Sequence, residues 1–181
     1  MKLSILVGSL ENHNYLLKRI LSLIEPQLTK EVELLIEVDN GELSTGAKRQ
    51  VQLNKANGDY VICVDDDDII PGYYVSEILT ALESNPDCAA MNGIITQDGK
   101  NPYPFYHSIK YSHWFTNDQG HFRCPNHLNP VKRELALLAG WEDLRYGSDQ
   151  GFSMRLLPLL KTETTITKCL YYYLAKTRLE I

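Results

Sequence analysis

The sequence predicts an α/β fold with a mainly parallel sheet flanked by helices, and three observations predict it. Short runs rich in β-formers alternate with stretches of helical spacing along residues 2–100. Hydrophobic residues make up 44% and charged residues 23% of the chain, as in ordinary globular proteins. The 181 residues contain no internal repeat, low-complexity segment or linker. We therefore expect a single domain over residues 1–181.

The first three elements follow from residue patterning and turn signals. Residues 2–7 are rich in β-formers and predict a strand, whereas residues 15–24 place apolar side chains at helical spacing and stop near Pro26. Residues 32–38 form a largely apolar run that ends in the turn sequence Asp-Asn-Gly at 39–41. The pattern predicts strand, helix and strand.

The next elements repeat this alternation. Residues 47–56 follow Gly46 and predict a helix that Asn-Gly closes, and residues 60–64 (YVICV) predict a buried strand. Residues 73–83 predict a helix after a Pro-Gly turn, and residues 89–96 predict another strand. Successive parallel strands joined by helices bring the carboxyl ends of the strands together, which is where such sheets bind ligands.

The second half of the chain has a different character. Residues 101–129 crowd prolines, histidines and aromatic residues together, and we expect a long ordered loop region with short antiparallel strands. Helical spacing resumes over residues 130–139 and again over residues 149–157. Residues 166–174 are β-rich and predict a final strand.

Charge and cysteine usage exclude several classes of protein. The 18 basic and 23 acidic residues give a net charge of −5, which argues against nucleic acid as a partner. No apolar run reaches the roughly 20 residues of a membrane span, so we expect a cytoplasmic protein for which peripheral membrane contact stays open. The four scattered cysteines lack zinc-site spacing, and we expect free thiols.

Four consecutive aspartates, Asp65 to Asp68, follow the strand at 60–64. Like charges so close together repel by about 1 kcal/mol or more even when well screened, so a compensating charge is expected. A hard divalent cation such as Mg²⁺ takes oxygen ligands and is commonly held by one or two carboxylates plus substrate phosphates. In an extended segment Asp65 and Asp67 share one face. Alternatively, some of these side chains, Asp68 above all, only support the turn that follows.

The segment at 46–74, GAKRQVQLNKANGDYVICVDDDDIIPGYY, resembles the nucleotide-sugar-binding half of family 2 glycosyltransferases with the GT-A fold. Residues 39–41, 139–143 and 147–150 are similar to further motifs of that family, in the same order. The resemblance implies a GT-A fold. Residues 1–100 would bind the nucleotide sugar, and residues 101–181 would bind the acceptor and carry out catalysis.

The resemblance also implies site residues. Asp39 would contact the nucleobase, Arg49 the base or diphosphate, and Asp65 the ribose or the shell of the metal, with Asp67 as the direct ligand of Mn²⁺ or Mg²⁺. The nucleotide site would further include Ser9, Glu11 and Asp66. The chemistry agrees, because a carboxylate can accept from an imide N–H and a cation can neutralise a departing diphosphate. Asp39 could instead belong to an Asx turn, and Arg49 could instead lie on a solvated helix face.

Glycosyl transfer with inversion needs a base for the acceptor hydroxyl, and the resemblance assigns Asp149 to that role. The alternative is that Asp149 is an N-cap and nothing more. Ser148 stands where the family usually has glutamate, which departs from the motif. Glu142 and Asp143 are reserve bases.

The carboxyl end departs from the family as well, because no late histidine follows the tyrosines at 171–173. Lys176 or Arg178 could meet the diphosphate instead. The metal could take water or His127 as a ligand, although a lone histidine is more often a hydrogen-bonded structural residue.

The sequence as a whole predicts a metal-dependent inverting glycosyltransferase. It would use a nucleoside diphosphate sugar, preferably a UDP-sugar, and a glycan, lipid-linked or protein acceptor. Three alternatives stay open. A phosphatase of the haloacid dehalogenase type would carry its D-x-D on the first strand, and a nucleotidyltransferase would need a glycine-rich loop that GSLENHN lacks. An inactive relative, or a sugar- or metal-binding module, is the third.

Overall fold

The structure, a computed structural model, describes residues 1–176, and one mixed sheet runs through that part of the chain. Its strands are β1 (Leu3–Leu10), β2 (Val32–Asp39), β3 (Tyr60–Cys63), β4 (Cys88–Gln97), β5 (Lys100–His107), β6 (Phe115–Asn117), β7 (Gly120–Arg123), β8 (Val131–Lys132) and β9 (Glu163–Ala175). The α-helices are α1 (Asn14–Ile24), α2 (Thr45–Lys55), α3 (Tyr74–Ala81), α4 (Arg133–Ala139) and α5 (Ser148–Leu156).

The strand order β2-β1-β3-β8-β4-β5-β7-β6, with β9 paired to β4, explains where the functional residues meet. β1 lies between β2 and β3 and is parallel to both. Their carboxyl ends, Leu10, Asp39 and Cys63, therefore share one edge of the sheet. β4 pairs in parallel with β9, while β5 and β8 join β4 in the antiparallel sense. The predicted α/β fold, with a mainly parallel sheet flanked by helices and a small antiparallel region, is confirmed.

Three element predictions need correction. Residues 101–129 are less loop-like than expected, because β5 extends along β4 and then pairs in parallel with β7. The helix expected from residue 130 begins only at Arg133, since Val131 is drawn into the sheet between Val61 and Cys88. The final strand begins at Glu163 instead of residue 166, because the whole of β4 is available for pairing. Arg178 lies outside the described residues.

Alternation along β1 builds a core on both faces of the sheet. Leu3, Ile5 and Val7 pack on α1 and α3, whereas Leu6 packs towards α2, α4 and α5 with Phe152. Each such side chain contributes about 1.5–3 kcal/mol by leaving water. The helices on the two faces therefore hold the sheet edge in place.

The cysteines are free thiols, and three of the four are buried. None of the helices within residues 1–176 combines the length and the apolar character that crossing a membrane requires.

Candidate functional site

The acidic run forms a tight turn directly beyond β3. Val64 N–H donates to Leu6 O at 2.9 Å, and Asp68 N–H returns to Asp65 O at 3.3 Å. Ile69 then pairs with Tyr172 of β9 through two backbone hydrogen bonds of 3.1 and 2.9 Å. The four carboxylates therefore sit in fixed and different surroundings at the carboxyl edge of the sheet.

Asp65 is held by two cationic or polar partners. Arg49 Nη2 donates to Asp65 Oδ1 at 2.8 Å, and His127 Nε2 lies 3.2 Å from Oδ2. Burial alone would raise the pKa of this carboxyl, but the Arg49 charge and His127 outweigh burial and hold the pKa well below its ordinary value. Its backbone N–H donates to Tyr171 Oη at 3.1 Å. Asp65 is an ionised carboxylate in a rigid setting.

Arg49 is buried, so the solvated-face alternative is excluded. It follows Gly46 by one helical turn on α2, and Gly46 packs so closely against Glu142 O that an added Cβ would lie 1.8 Å away. The guanidinium carbon is 5.1 Å from the centre of the Trp141 ring, which in turn stacks on Phe152. Residues distant in sequence thus aim Arg49 at Asp65.

His127 lies in the site, with its Nε2 directed at Asp65. Burial first, and then the Arg49 charge, lower its pKa, so the ring is neutral and Nε2–H is the donor to the carboxylate. No hydrogen-bond partner of Nδ1 occurs in the described part of the chain. This geometry makes His127 a residue that orients Asp65, and its role as a metal ligand stays a prediction.

Asp66 faces the other way, towards the end of β1. Ser9 Oγ donates to Asp66 Oδ2 at 2.5 Å, and His13 Nδ1 lies 3.2 Å from the same oxygen. Lys48 Nζ donates to Ser9 O at 2.5 Å and to Asp39 Oδ1 at 2.6 Å. Ser9 and Asp66, both predicted for the nucleotide site, are in direct contact, and Lys48 connects them to Asp39.

Asp39 also organises the turn after β2. Its carboxylate accepts N–H groups from Gly41 at 3.1 Å and Leu43 at 2.9 Å. The Asx-turn alternative is therefore realised, together with the Lys48 ion pair. Glu11 is exposed in a short 3-10 turn and lines neither of the two cavities described below, although the adjacent Leu10 lines the larger one.

Asp67 and Asp68 have opposite environments. Asp67 is 37% exposed, and Lys176 Nζ lies 3.3 Å from its Oδ2. Burial is the main cause that raises the pKa of Asp67, and the negative charge of the neighbouring Asp65 raises it further. Asp68 is buried, with Oδ1 accepting Leu174 N–H at 2.8 Å, and burial and Asp65 raise its pKa to about 8. Asp68 supports the turn, and Asp67 is the carboxylate that faces outward.

The donor set at this turn fits a divalent cation that shares its ligands with a substrate. Asp67 supplies hard oxygen ligands and lies against the exposed head group of Lys176, while Asp65 already has two protein partners. Within residues 1–176, no group of three or more His, Cys, Asp or Glu side chains is arranged to hold a metal ion. One or two carboxylates plus phosphates is the usual arrangement for Mg²⁺.

Two cavities meet at the Arg49–Asp65 pair. The larger, about 440 Å³, lies among the end of β1, α2 and the acidic turn, and Ser9, Lys48 and Asp66 line it. The smaller, about 220 Å³, lies between the start of α5 and the edge formed by β5 and β7. Arg49 and Asp65 line both. A ligand in one cavity can therefore reach a ligand in the other.

Asp149 lines the smaller cavity, in the first turn of α5. Gly147, with φ 79°, occupies the N-cap position, so Asp149 is inside the helix and is not its N-cap. The reserve bases lie elsewhere: Glu142 pairs with Arg155 at 3.0 Å, and Asp143 accepts from Ser44 Oγ at 2.6 Å. Of the three candidate bases, only Asp149 lines this cavity.

Several site residues were missed by sequence reasoning. Tyr171, Lys48 and His13 contact the acidic turn or its partners, and Arg123 and Arg145 line the smaller cavity. Only Lys48 carried a signal, because it directly precedes Arg49 within the recognised segment. The others reach the site through strand pairing and loop packing that no local pattern encodes.

Comparisons with known proteins agree with this geometry. The model of the family described as Glycosyl transferase family 2 matches residues 36–137, more than half of the chain. A comparison with curated protein sequences gave no match. S. aureus TarS 1–349 in complex with UDP-GlcNAc has a TM-score of 0.72 at 16% identity, over 100% of this chain and 60% of that chain.

The complex of TarS 1–349 with UDP gives a TM-score of 0.71 at 17% identity, covering 97% of this chain and 61% of that one. At such identity the likeness shows the fold alone, and the chain spans about 60% of the length of these structures. The family model and the shared fold together confirm the resemblance drawn from the sequence motifs. The chain therefore belongs to glycosyl transferase family 2 and has the GT-A fold.

Proposed function

We propose that the chain is a metal-dependent, inverting glycosyltransferase that moves a sugar from a nucleoside diphosphate sugar to an acceptor hydroxyl. The observation that carries the proposal is the pair of cavities that share Arg49 and Asp65. One cavity contains the acidic turn, and the other contains Asp149. Separate sites for donor and acceptor that meet at one point are what group transfer requires.

The larger cavity is the donor site in this proposal. Ser9, Asp66 and the Arg49–Asp65 pair surround the ribose and diphosphate. Asp39 does not line the cavity itself but is joined to its wall through Lys48, and it would accept from the imide of a uracil there. Lys48 adds a buried positive charge on the same wall. The preference for a UDP-sugar is supported by the TarS structures of similar fold, which are complexes with UDP-GlcNAc and UDP.

Asp67, with Asp65 beside it, would hold Mn²⁺ or Mg²⁺. When bound, the cation supplies positive charge that stabilises the departing nucleoside diphosphate. Lys176 lies against Asp67 Oδ2 and would move to the diphosphate or to solvent. His127 keeps the Asp65 carboxylate oriented through its 3.2 Å contact.

Asp149 acts as the general base. Its carboxylate takes the proton of the acceptor hydroxyl while that oxygen forms a bond to the anomeric carbon. The bond from the anomeric carbon to the diphosphate oxygen breaks on the opposite side, so the configuration inverts. The acceptor is a glycan, a lipid-linked sugar or a protein. In this proposal the protein acts in the cytoplasm, with or without contact at a membrane surface. Residues 1–100 bind the nucleotide sugar, and residues 101–181 bind the acceptor and carry out catalysis.

Two observations favour a second candidate, a binding module without turnover. Lys176 contacts the proposed metal ligand, and Ser148 replaces the glutamate of the family motif. A module of this kind would bind a nucleotide sugar without a requirement for Mn²⁺ and would not transfer it.

Replacement of Asp67 tests donor binding. Wild-type protein with UDP at about one hundred times its Kd and Mn²⁺ should gain about 2.7 kcal/mol, which corresponds to roughly 5–10 °C in Tm. Asp67→Asn should lose the Mn²⁺-dependent part of this shift, because it removes the anionic ligand. Asp118→Asn, at an exposed turn, is the matched control. A full Mn²⁺-dependent shift in Asp67→Asn would contradict the assignment.

Replacement of Asp149 tests the chemical step. Asp149→Asn should keep the UDP-induced Tm shift and lower the transfer rate by about 10²–10⁴-fold, the usual contribution of a positioned base. Release of UDP from a panel of UDP-sugars is the measurement, with Asp143→Asn as the control. Undiminished transfer by Asp149→Asn would remove this residue from the mechanism.

A further inference from the structure

We propose that the smaller cavity binds an oxyanion of the acceptor, a phosphate or a carboxylate, through the guanidinium of Arg123. This inference rests on the proposed transferase function. It assigns a chemical class to the acceptor, which neither the family match nor the TarS structures specify.

Arg123 is the last residue of β7, opposite His107 in the parallel pair with β5. Its guanidinium carbon lies 4.6 Å from the centre of the Trp114 ring, which holds the planar group in place. The side chain is partly buried and lines the smaller cavity. Burial lowers its pKa, although the group stays charged at any physiological pH.

Within residues 1–176, the Arg123 guanidinium stacks on the Trp114 ring and forms no hydrogen bond or ion pair. Its backbone oxygen, by contrast, accepts Ser108 N–H at 3.1 Å. A guanidinium offers five donors, and those of Arg123 stay available to a ligand that enters the cavity it lines. Oxygens of a carboxylate or phosphate match its planar fork and bind it in a bidentate manner.

The other cationic groups of this cavity are already engaged or neutral. Arg49 is paired with Asp65, and Arg145 Nη2 donates to Gly41 O at 2.9 Å. Burial first, and then the Arg123 charge, lower the pKa of His107 to about 3 and also lower the pKa of His121. Arg123 is therefore the partly buried cation of this cavity that stays available to a ligand, whereas Arg145 is exposed and has one donor engaged with Gly41 O.

The position of Arg123 points to the acceptor and not to the donor. Arg123 lines the smaller cavity with Asp149 and does not line the larger one. Asp149 is the one carboxylate that acts on Arg123 from within this cavity, and no ion pair joins them. An acceptor held by its oxyanion at Arg123 would present a hydroxyl to Asp149, with the two anionic groups kept apart.

The test compares acceptor probes on protein saturated with Mn²⁺ and UDP. Glycerol 3-phosphate, glucuronate and methyl glucoside are titrated into wild-type protein, Arg123→Gln and Arg123→Lys by calorimetry. Arg133→Gln is the control, because Arg133 is a half-buried arginine at the opposite edge of the sheet whose Nε also lacks a partner among the described residues. The Mn²⁺-dependent increase in Tm that UDP causes is measured for each variant in parallel.

We expect at least one anionic probe to bind wild-type protein about 10- to 100-fold more tightly than methyl glucoside, as a charged hydrogen bond of about 1.5–3 kcal/mol implies. Arg123→Gln should abolish this preference, Arg123→Lys should keep part of it, and Arg133→Gln should keep all of it. The probe that binds more tightly distinguishes a phosphate from a carboxylate.

Equal binding of neutral and anionic probes, or no binding of either anionic probe, would overturn the proposal. An unchanged preference in Arg123→Gln would do the same. Weaker UDP binding in Arg123→Gln would assign the residue to the donor and also overturn it. If Arg123→Gln is unfolded, Arg123→Lys replaces it, and a preference for anionic probes that is as large in Arg123→Lys as in wild-type protein would overturn the proposal. If UDP and Mn²⁺ do not raise the Tm of wild-type protein, the proposed function itself has failed.

Discussion

At the scale of single residues, the site sorts four adjacent aspartates into four environments. Asp65 is fixed by Arg49 and His127, whereas Asp66 contacts Ser9. Asp67 faces outward, and Asp68 is buried with a raised pKa. The repulsion expected from four charges is relieved in part by protein partners and in part by protonation of Asp68 at neutral pH, so the turn can exist without a bound cation.

His107 should contribute to the pH dependence of the free energy of unfolding. Asn129 Nδ2 donates to Ala89 O, so Asn129 Oδ1 accepts from His107 Nδ1, and the buried ring has a pKa of about 3. Between about pH 6.5 and 3 the unfolded chain binds a proton here that the folded chain does not. The free energy of unfolding should therefore fall as pH decreases, by up to about 1.4 kcal/mol per unit from this group.

His107→Gln removes that contribution. The difference in the free energy of unfolding between wild-type protein and His107→Gln should therefore shrink as the pH falls from 7 to 5. Urea unfolding at each pH is the measurement, and His113→Gln, at an exposed position, should follow the wild-type pH profile. A cost of His107→Gln that stays constant over this range would contradict the neutral buried ring.

At the scale of elements, α2 connects the two cavities. Ser44 Oγ accepts Ala47 N–H at 3.1 Å and begins the helix, and Gly46 lets it approach the backbone at Glu142. Arg49 follows one turn later. The glycine and the arginine of this motif thus have linked functions, because close packing at the first aims the second.

Gly46→Ala should therefore disrupt both folding and donor binding. Its Cβ would meet Glu142 O at 1.8 Å and the Ser148 side chain at 3.2 Å, so the loop before α5 must move. We expect a loss of about 2–4 kcal/mol in the free energy of unfolding, measured with urea. Gly72→Ala, where an added Cβ meets nothing within 4 Å, is the control. A loss below 0.5 kcal/mol in Gly46→Ala would show that this contact is not restrictive.

At the scale of the whole molecule, β9 closes the site from more than one hundred residues away. Tyr171 Oη accepts Asp65 N–H, Leu174 N–H donates to Asp68, and Tyr172 pairs with Ile69. The last strand is therefore part of the site around the acidic turn as well as of the sheet. The two halves expected from the sequence, residues 1–100 and 101–181, interlock at this strand.

Tyr171→Phe tests this closure. The substitution leaves Asp65 N–H without its acceptor, and a buried unsatisfied donor costs about 1–3 kcal/mol. The urea midpoint should fall accordingly, and the Mn²⁺-dependent UDP shift should decrease with it. Tyr15→Phe is the control, since Tyr15 is 77% exposed. Wild-type stability in Tyr171→Phe would mean that the contact is not needed.

The sequence was sufficient for the local elements and for the residues that follow β3. Alternating patterns placed β1, α1, β2, α2, β3 and α3 close to their observed bounds, because amphipathic periodicity and turn residues are local properties. The bounds failed where pairing partners decide them, at Val131 and at the start of β9. Strand length there depends on the neighbouring strand.

The sequence by itself determined the family and the acidic run that follows β3. Only the tertiary structure decided what each carboxylate contacts: Tyr171 under Asp65, Lys48 on Asp39, and Arg123 in the cavity of Asp149. The physical reason is that charge, burial and hydrogen bonding at a site are set by side chains brought together from distant strands. No spacing along the chain encodes those distances.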